Sequence, residues 1–398
     1  MQVLSMQVLA MGKPRSTVRF AVAMLAVYAA AIAPALLRHH FDPSVFIVAG
    51  DRVVDRTQLA SPIIVHSNSD GYDGEYYYRL ALAPFDLGQP LFGVTLDSPP
   101  WRMQRVVYPL LAWTVSLGQA WLVPWTLLLL NLAGIAVVAL FAARLTQQLE
   151  LAPLTALAIA MWPGFLVSIT HDTTEIVAAS FVLAALDRYF AGQLWAFAVL
   201  GAVAGLTRET SLLIPGGVLL YELYSRNFRA VFAGAAALLP FLVWRQVQPL
   251  LWGTAQTSTI ANNITWPLAG ITGAVASMIF GGYVTQTGVK GFILRSYALV
   301  STVFLLGFSV MVALAGVRGL RKVLLVAWLP TAAVVSVLSA RGPWIDPIAF
   351  FRAFTECWIV GCLVLGAEIR DSWIAKPALA VLIVMWIGAG GLSEWTID

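Results

Sequence analysis

The chain has 398 residues, of which 60% are hydrophobic and only 11% charged. A soluble domain carries about 25% charged residues, so this chain cannot clothe itself in water and must keep most of its surface in lipid. Its formal charge of +4 is scattered rather than striped and leaves no nucleic-acid footprint, and two cysteines five residues apart in one apolar segment, Cys357 and Cys362, exclude a disulfide framework.

The N-terminus repeats itself as MQVLSMQVLAMGKPR, to which no function is assigned. The apolar run after Arg19 is long enough to stay in the membrane as an anchor rather than be cleaved as a signal. Taken in chain order, the first predicted span is 18–37, followed by a polar loop, 38–121, which holds most of the charge outside the short loops. Within that loop, 106–119 is expected to lie at the interface. Spans of roughly 17–25 mostly apolar residues, shorter where neighbours shield them, follow at 122–143, 153–170, 175–190, 194–207, 211–225 and 229–245. The breaks between the shorter ones fall at Gly192, Thr207–Thr210 and Ser225–Asn227. An outer stretch, 247–291, contains the glycine-rich segment 265–284, read as re-entrant or interfacial. Spans at 292–316, 323–340, 348–367 and 374–392 complete an all-α polytopic bundle of about eleven helices, a single transmembrane domain over 1–398 with 122–246 as its core and 292–398 as its C-terminal spans. With the N-terminus inside, Lys13, Arg15, Arg19, Arg144, Arg188, Arg226, Arg229, Arg318, Arg321, Lys322, Arg370 and Lys376 all fall inside, and the long loop faces out.

Three constellations in this layout have chemical content. Ser69-Asp70-Gly71-Tyr72-Asp73-Gly74-Glu75 places three carboxylates within six residues, separated by glycines that permit turns and close approach. The following run, EYYYRLALAPF, reads as a helix ending at Pro84, which puts Asp73 at its N-terminus. There it is either an N-cap beside interfacial tyrosines, or a general base with Asp70 or Glu75 as its partner or as a metal ligand. Next, Arg102 and Arg105, spaced i and i+3 after Trp101, either anchor the interface or hold a phosphate. Further on, His171-Asp172-Thr173-Thr174-Glu175 follows Pro163-Gly164-Phe165 at the mouth of two spans. It reads as a capping box, Asp172 with Glu175, or as functional ionisable groups at the membrane boundary. Arg208-Glu209 closes the next outer turn, as a salt bridge or facing the same pocket, and Arg341 and Arg352 flank Pro343–Pro347 as anion binders. The four histidines show no zinc spacing, and no glycine-rich nucleotide loop is present, so a donor would not be an obvious nucleotide.

The order of parts over 18–225 resembles the GT-C superfamily of membrane glycosyltransferases, which use polyprenyl-phosphate sugars. It is similar in having one span, a large outer loop with an acidic motif from Asp70 to Glu75, an interfacial segment WRMQRVVYPLLAW, a span ending at Arg144, another ending in Pro163-Gly164, and an acidic outer turn at Asp172. It looks closest to a bacterial subgroup with a YDG-aromatic-aromatic-Tyr motif linked to surface glycopolymer formation. It departs from many members in that the acids are spaced, and lie roughly thirty residues beyond the first span rather than as an adjacent pair close to it. The resemblance implies an inverting transfer of sugar to a cell-surface glycan or glycolipid, in the bacterial inner membrane and on its outer face. Asp73, then Asp70, is implied as base. Glu75 is grouped with them, and Arg102, Arg105, Arg208 and Arg352 are implied on the lipid phosphate. Tyr72, Tyr76, His171, Asp172, Glu175, Glu209 and Arg341 would line the substrate pocket. Whether Asp70 and Glu75 hold Mg²⁺ or Mn²⁺ stays open. The other classes weighed are a transporter or flippase for a lipid-linked sugar, and a non-catalytic subunit of a surface-polysaccharide complex.

Overall fold

The computed structural model describes residues 14–86, 88, 90–253, 263–284, 288–318, 322–340, 343–344, 349–368 and 375–397. The first helix, α1 (Pro14–Arg38), leads into the polar loop, which carries α2 (Asp73–Leu82), α3 (Pro99–Arg102) and α4 (Val107–Ser116). There follow α5 (Val123–Gln148), α6 (Leu154–Ala160), α7 (Pro163–Thr170), α8 (Glu175–Phe190), α9 (Leu194–Thr207), α10 (Leu213–Tyr224) and α11 (Phe228–Trp252). The C-terminal part holds α12 (Ala269–Phe280), α13 (Gly288–Arg318), α14 (Lys322–Val337), α15 (Ala349–Ala353), α16 (Thr355–Leu365) and α17 (Ala375–Ile397). Beside the helices, the described residues hold one parallel pair of two-residue strands, β1 (Ala49–Gly50) and β2 (Val65–His66), in the register Ala49 to Val65.

Five helices, α1, α5, α11, α13 and α17, are long and apolar enough to cross a membrane. The chain is a multi-pass helical membrane protein. Its long helices bury only part of their surface and turn Phe232, Leu242, Phe292, Val300 and Val310 outward, an apolar exterior that suits lipid and not water. At ten residues, α4 is about 15 Å long, half the hydrocarbon thickness of a bilayer.

Two of the predicted spans are broken. The stretch 153–170 divides into α6 and α7 because Pro163 cannot continue a helix and instead opens the next one. The stretch 348–367 divides at Phe354 into α15 and α16. The two breaks meet. Trp162 stacks on Trp358 at 4.8 Å and donates its indole N–H to Thr355 Oγ1 at 3.1 Å. Gly164 lets the chain pass close to the carbonyl of Phe351, which a Cβ would approach to 2.8 Å. This junction sets where Arg352, the next residue, points. Tyr28 ties the long helices to the same region: its hydroxyl donates to Ala160 O at 2.9 Å and accepts from Trp386 Nε1 at 3.1 Å.

Helix pairs approach closely where one residue is small, as is usual in membranes. Gly217 on α10 faces the backbone of α14, where an added Cβ would come within 2.4 Å of Ala327 Cα. Gly217→Val should therefore overpack this contact and destabilise the protein by about 1–3 kcal/mol, read as a lower unfolding midpoint in detergent, while Gly216→Ala, at a position with open space around it, should leave the midpoint nearly unchanged.

Candidate active site

The acidic motif begins α2, and the local backbone explains why it starts there. Gly71 takes φ +67, a left-handed value that other residues resist, and Tyr72 N–H then pairs with Val48 O at 2.9 Å. Gly74 is pressed between two carbonyls: a Cβ there would lie 2.5 Å from Ile47 O and 2.7 Å from His171 O. The helix start is thus wedged between the first part of the loop and the turn that precedes α8. Asp73 is the first residue of α2, at the end where a helix dipole favours negative charge. Tyr72 occupies the N-cap position, with no side-chain cap.

Both oxygens of Asp73 are held by arginine. Arg102 Nη1 donates to Oδ1 at 2.6 Å and Arg352 Nη2 donates to Oδ2 at 2.8 Å. Each guanidinium has a second acid. Arg102 grips Asp97 with Nε and Nη2, both at 2.8 Å, and Arg352 Nε donates to Glu175 Oε1 at 2.9 Å. Tyrosine rings back both: Arg102 lies 4.0 Å over Tyr76 and Arg352 5.0 Å over Tyr72. The network continues inward. Glu175 Oε2 accepts from Ser168 Oγ at 3.1 Å, and its Oε1 lies 3.6 Å from Arg208. Arg208 Nη1 donates to Glu356 Oε2 at 2.7 Å, and Thr210 and Ser211 donate to the other oxygen of Glu356, each at 2.9 Å. Beside this chain of charges, Arg105 makes a two-pronged pair with Glu209 at 2.9 and 2.7 Å and reaches Tyr77 OH at 3.3 Å.

Burial grades across this cluster. Glu175, Arg208 and Glu356 are buried, whereas the Asp73 side chain is 23% exposed and Asp97 50%. The open edge of the network is therefore the side formed by Asp73, Arg102 and Asp97. Burial alone would raise the Asp73 carboxyl, but Arg102 and Arg352, with Arg105 behind them, override it and hold the group well below the usual carboxylate range. Two residues on, Glu75 experiences the opposite balance. It is fully buried, among the described residues only Gly50 N–H donates to it, at 3.0 Å, and burial pushes its carboxyl up to about 8. His171 packs on Tyr72 with ring centroids 4.5 Å apart, and burial lowers its ring to about 4, so it is neutral at physiological pH.

Several expectations change on this geometry. Asp70 does not join Asp73: its side chain is 79% exposed and pairs with Arg52 at 3.0 Å on the loop surface, because the left-handed turn at Gly71 sends it the other way. Asp70 and Glu75 diverge, so they do not form a carboxylate pair for Mg²⁺ or Mn²⁺. Among the described residues no three His, Cys, Asp or Glu side chains gather as a metal-ligand group. Arg102 and Arg105 do not share a helix, since α3 ends at Arg102, and they serve different acids. Arg208 and Glu209 are neighbours that pair elsewhere, with Glu356 and Arg105. Asp172 caps nothing; Thr174 takes the N-cap position of α8. Arg341 lies outside the described residues. Asp97 and Glu356 were not singled out in the sequence, although a lone Glu356 beginning the apolar run of α16 was a usable signal.

Comparison of the chain with protein-family models, with curated proteins and with solved structures yields no match. The site must therefore be judged on its own groups.

Glu75 offers a direct check on the electrostatics. Its folded carboxyl titrates near 8 against 4.5 for the free group, so between those values the folded protein holds a proton that the unfolded chain has lost. Stability from this group is full below 4.5 and declines as pH rises through 8. In Glu75→Gln that decline should vanish. The measurement is the thermal unfolding midpoint in detergent from pH 5 to pH 8.5, and an equal slope for both proteins would show that Glu75 is not buried as a neutral acid.

Proposed function

We propose that the chain is an inverting glycosyltransferase that moves a sugar from a polyprenyl-phosphate donor to a cell-surface glycan or glycolipid acceptor. In this proposal the bundle crosses a bacterial cytoplasmic membrane about eleven times and turns the loop that bears α2 to the outside. The observation that carries it is the Asp73 carboxylate, at the open edge of the charge network and bracketed by Arg102 and Arg352. Base and phosphate ligands are thus side by side, as transfer from a lipid phosphate requires.

The chemistry follows from what those groups do. At rest Asp73 is ionised but a weak base, because two guanidinium groups stabilise its charge. A lipid phosphate arriving at the edge competes for the same donors. As Arg102 and Arg352 turn toward the phosphate, Asp73 loses stabilisation and its basicity rises, so donor binding itself arms the base. The acceptor oxygen then attacks the anomeric carbon from the face opposite the phosphate. Its proton passes to Asp73, the bond from carbon to phosphate oxygen breaks, and the electron pair leaves with the lipid phosphate, whose added charge the arginines hold. The transition state is oxocarbenium-like and the configuration inverts.

The test is transfer by the purified protein, given polyprenyl-phosphate sugars and a candidate glycan acceptor. Asp73→Asn, which leaves Arg102 and Arg352 facing a neutral amide, should abolish transfer in a chain that still folds but with a lowered unfolding midpoint. Arg102→Ala, which strips one donor from the developing phosphate charge, should slow it by about 100- to 1,000-fold. Transfer at the wild-type rate by Asp73→Asn would remove Asp73 as base.

A further inference from the structure

Asp172 stands beside the arginine network but outside it. Its side chain is fully buried, and neither carboxylate oxygen has a hydrogen-bond partner among the described residues. Its backbone sits at φ +44, a left-handed value unusual for a residue other than glycine. No arginine is to spare for it. The four guanidinium groups of Arg102, Arg105, Arg208 and Arg352 already face five carboxylates, those of Asp73, Asp97, Glu175, Glu209 and Glu356.

What surrounds Asp172 follows from the way α5 and α8 pack. Gly134 receives Ile176, whose Cγ2 would lie 2.7 Å from an added Cβ, and Ser180 Oγ donates to Gly134 O at 2.9 Å. Three residues before Gly134 on α5 stands Asn131, and four residues before Ile176, in the turn that precedes α8, stands Asp172. Tyr108 joins them. Its hydroxyl donates to Leu127 O at 3.1 Å and accepts from Asn131 Nδ2 at 2.9 Å, and the ring lies in the field of the Asp172 charge. Because Tyr108 spends its proton on Leu127, the amide nitrogen of Asn131 must face it. Asn131 Oδ1 is thereby turned away, fully buried and without a donor. Thr174 Oγ1, two residues beyond Asp172 and also fully buried, has no partner either.

Of these unpartnered atoms only Thr174 Oγ1 can donate, one proton against the three acceptor oxygens of Asp172 and Asn131, an imbalance that a positive species would relieve. We propose that Asp172 Oδ1 and Oδ2, Asn131 Oδ1 and Thr174 Oγ1 form a binding site for a monovalent cation of the sodium class. The ligand set is all oxygen, which suits a hard cation. It contains one carboxylate, which balances one positive charge, and among the described residues no three His, Cys, Asp or Glu side chains gather as a metal-ligand group. With the ion in place, the turn that presses on Gly74 would be braced from behind, and Asp172 would be compensated without drawing an arginine away from Asp73.

The site is independent of whether the protein transfers sugar, and the test reads stability alone. Thermal unfolding of the purified full chain is measured in sodium chloride, potassium chloride and choline chloride at equal ionic strength. The wild-type midpoint should rise saturably with sodium or potassium over choline. Asn131→Leu should weaken the half-saturating concentration by at least about tenfold. Asp172→Asn should remove the cation effect while matching or exceeding the wild-type midpoint in choline. Equal wild-type midpoints in the three salts would overturn the proposal with no variant needed. A cation effect undiminished in Asp172→Asn would overturn it too, as would a midpoint that follows pH but not the identity of the cation, which would mark a bound proton instead.

Discussion

A carboxylate that loses most of its water must find cationic partners, and Asp73 finds two that come from opposite ends of the chain. Arg102 belongs to the polar loop, 29 residues beyond Asp73, and Arg352 to α15, 279 residues beyond it. Removing one partner of such a pair leaves a poorly solvated charge and typically costs about 3–5 kcal/mol when the site is buried. The loop and the C-terminal helices are therefore held in one arrangement by electrostatics as much as by packing. The remaining contacts of the site, from Tyr72 to Glu356, are disposed around that constraint.

Arg352 reaches Asp73 only because two helices break at the same depth. Pro163 interrupts one and the Phe354 junction the other, and Trp162, Trp358 and Phe351 fill the space between them. An unbroken helix at 348–367 would carry the guanidinium to a different azimuth and leave Glu175 and Asp73 without it. The aromatic junction is thus the support of the polar cluster, and the network hangs from it. At the opposite ends of α5 and α8, Asp187 is paired with both Arg144 and Arg188, and Tyr189 with Glu222. Those groups are far along the helices from Asp73, and they serve to satisfy helix ends.

The two acids of the DGE triplet behave differently because their surroundings differ, not their chemistry. Asp73 faces guanidinium groups and stays charged. Glu75 faces the backbone of Gly50 and the turn at Gly71 and keeps its proton into the neutral range. Such a division, one carboxylate charged and its neighbour neutral, is a common feature of sites that handle protons. Here it assigns Asp73 to the reacting edge and Glu75 to fastening the helix start against β1.

Composition and periodicity alone determined that the chain lives in a membrane as a bundle of helices, because lipid admits no other way to satisfy so much backbone. They also located the start of α2, since the glycines at 71 and 74 and the tyrosine run allow little else. Most residues of the candidate site, among them Asp73, Arg102, Glu175, Arg208 and Arg352, were recognisable as charges at the edges of apolar segments, where an ionisable group rarely stands without cause. Who pairs with whom was not. Arg208 and Glu209 are adjacent in sequence and bond to different partners, Asp70 turns to the surface while Asp73 turns inward, and Asp97 and Glu356 enter unannounced. Pairing depends on direction, which left-handed turns, helix breaks and aromatic packing impose over hundreds of residues, and only the tertiary structure decides it.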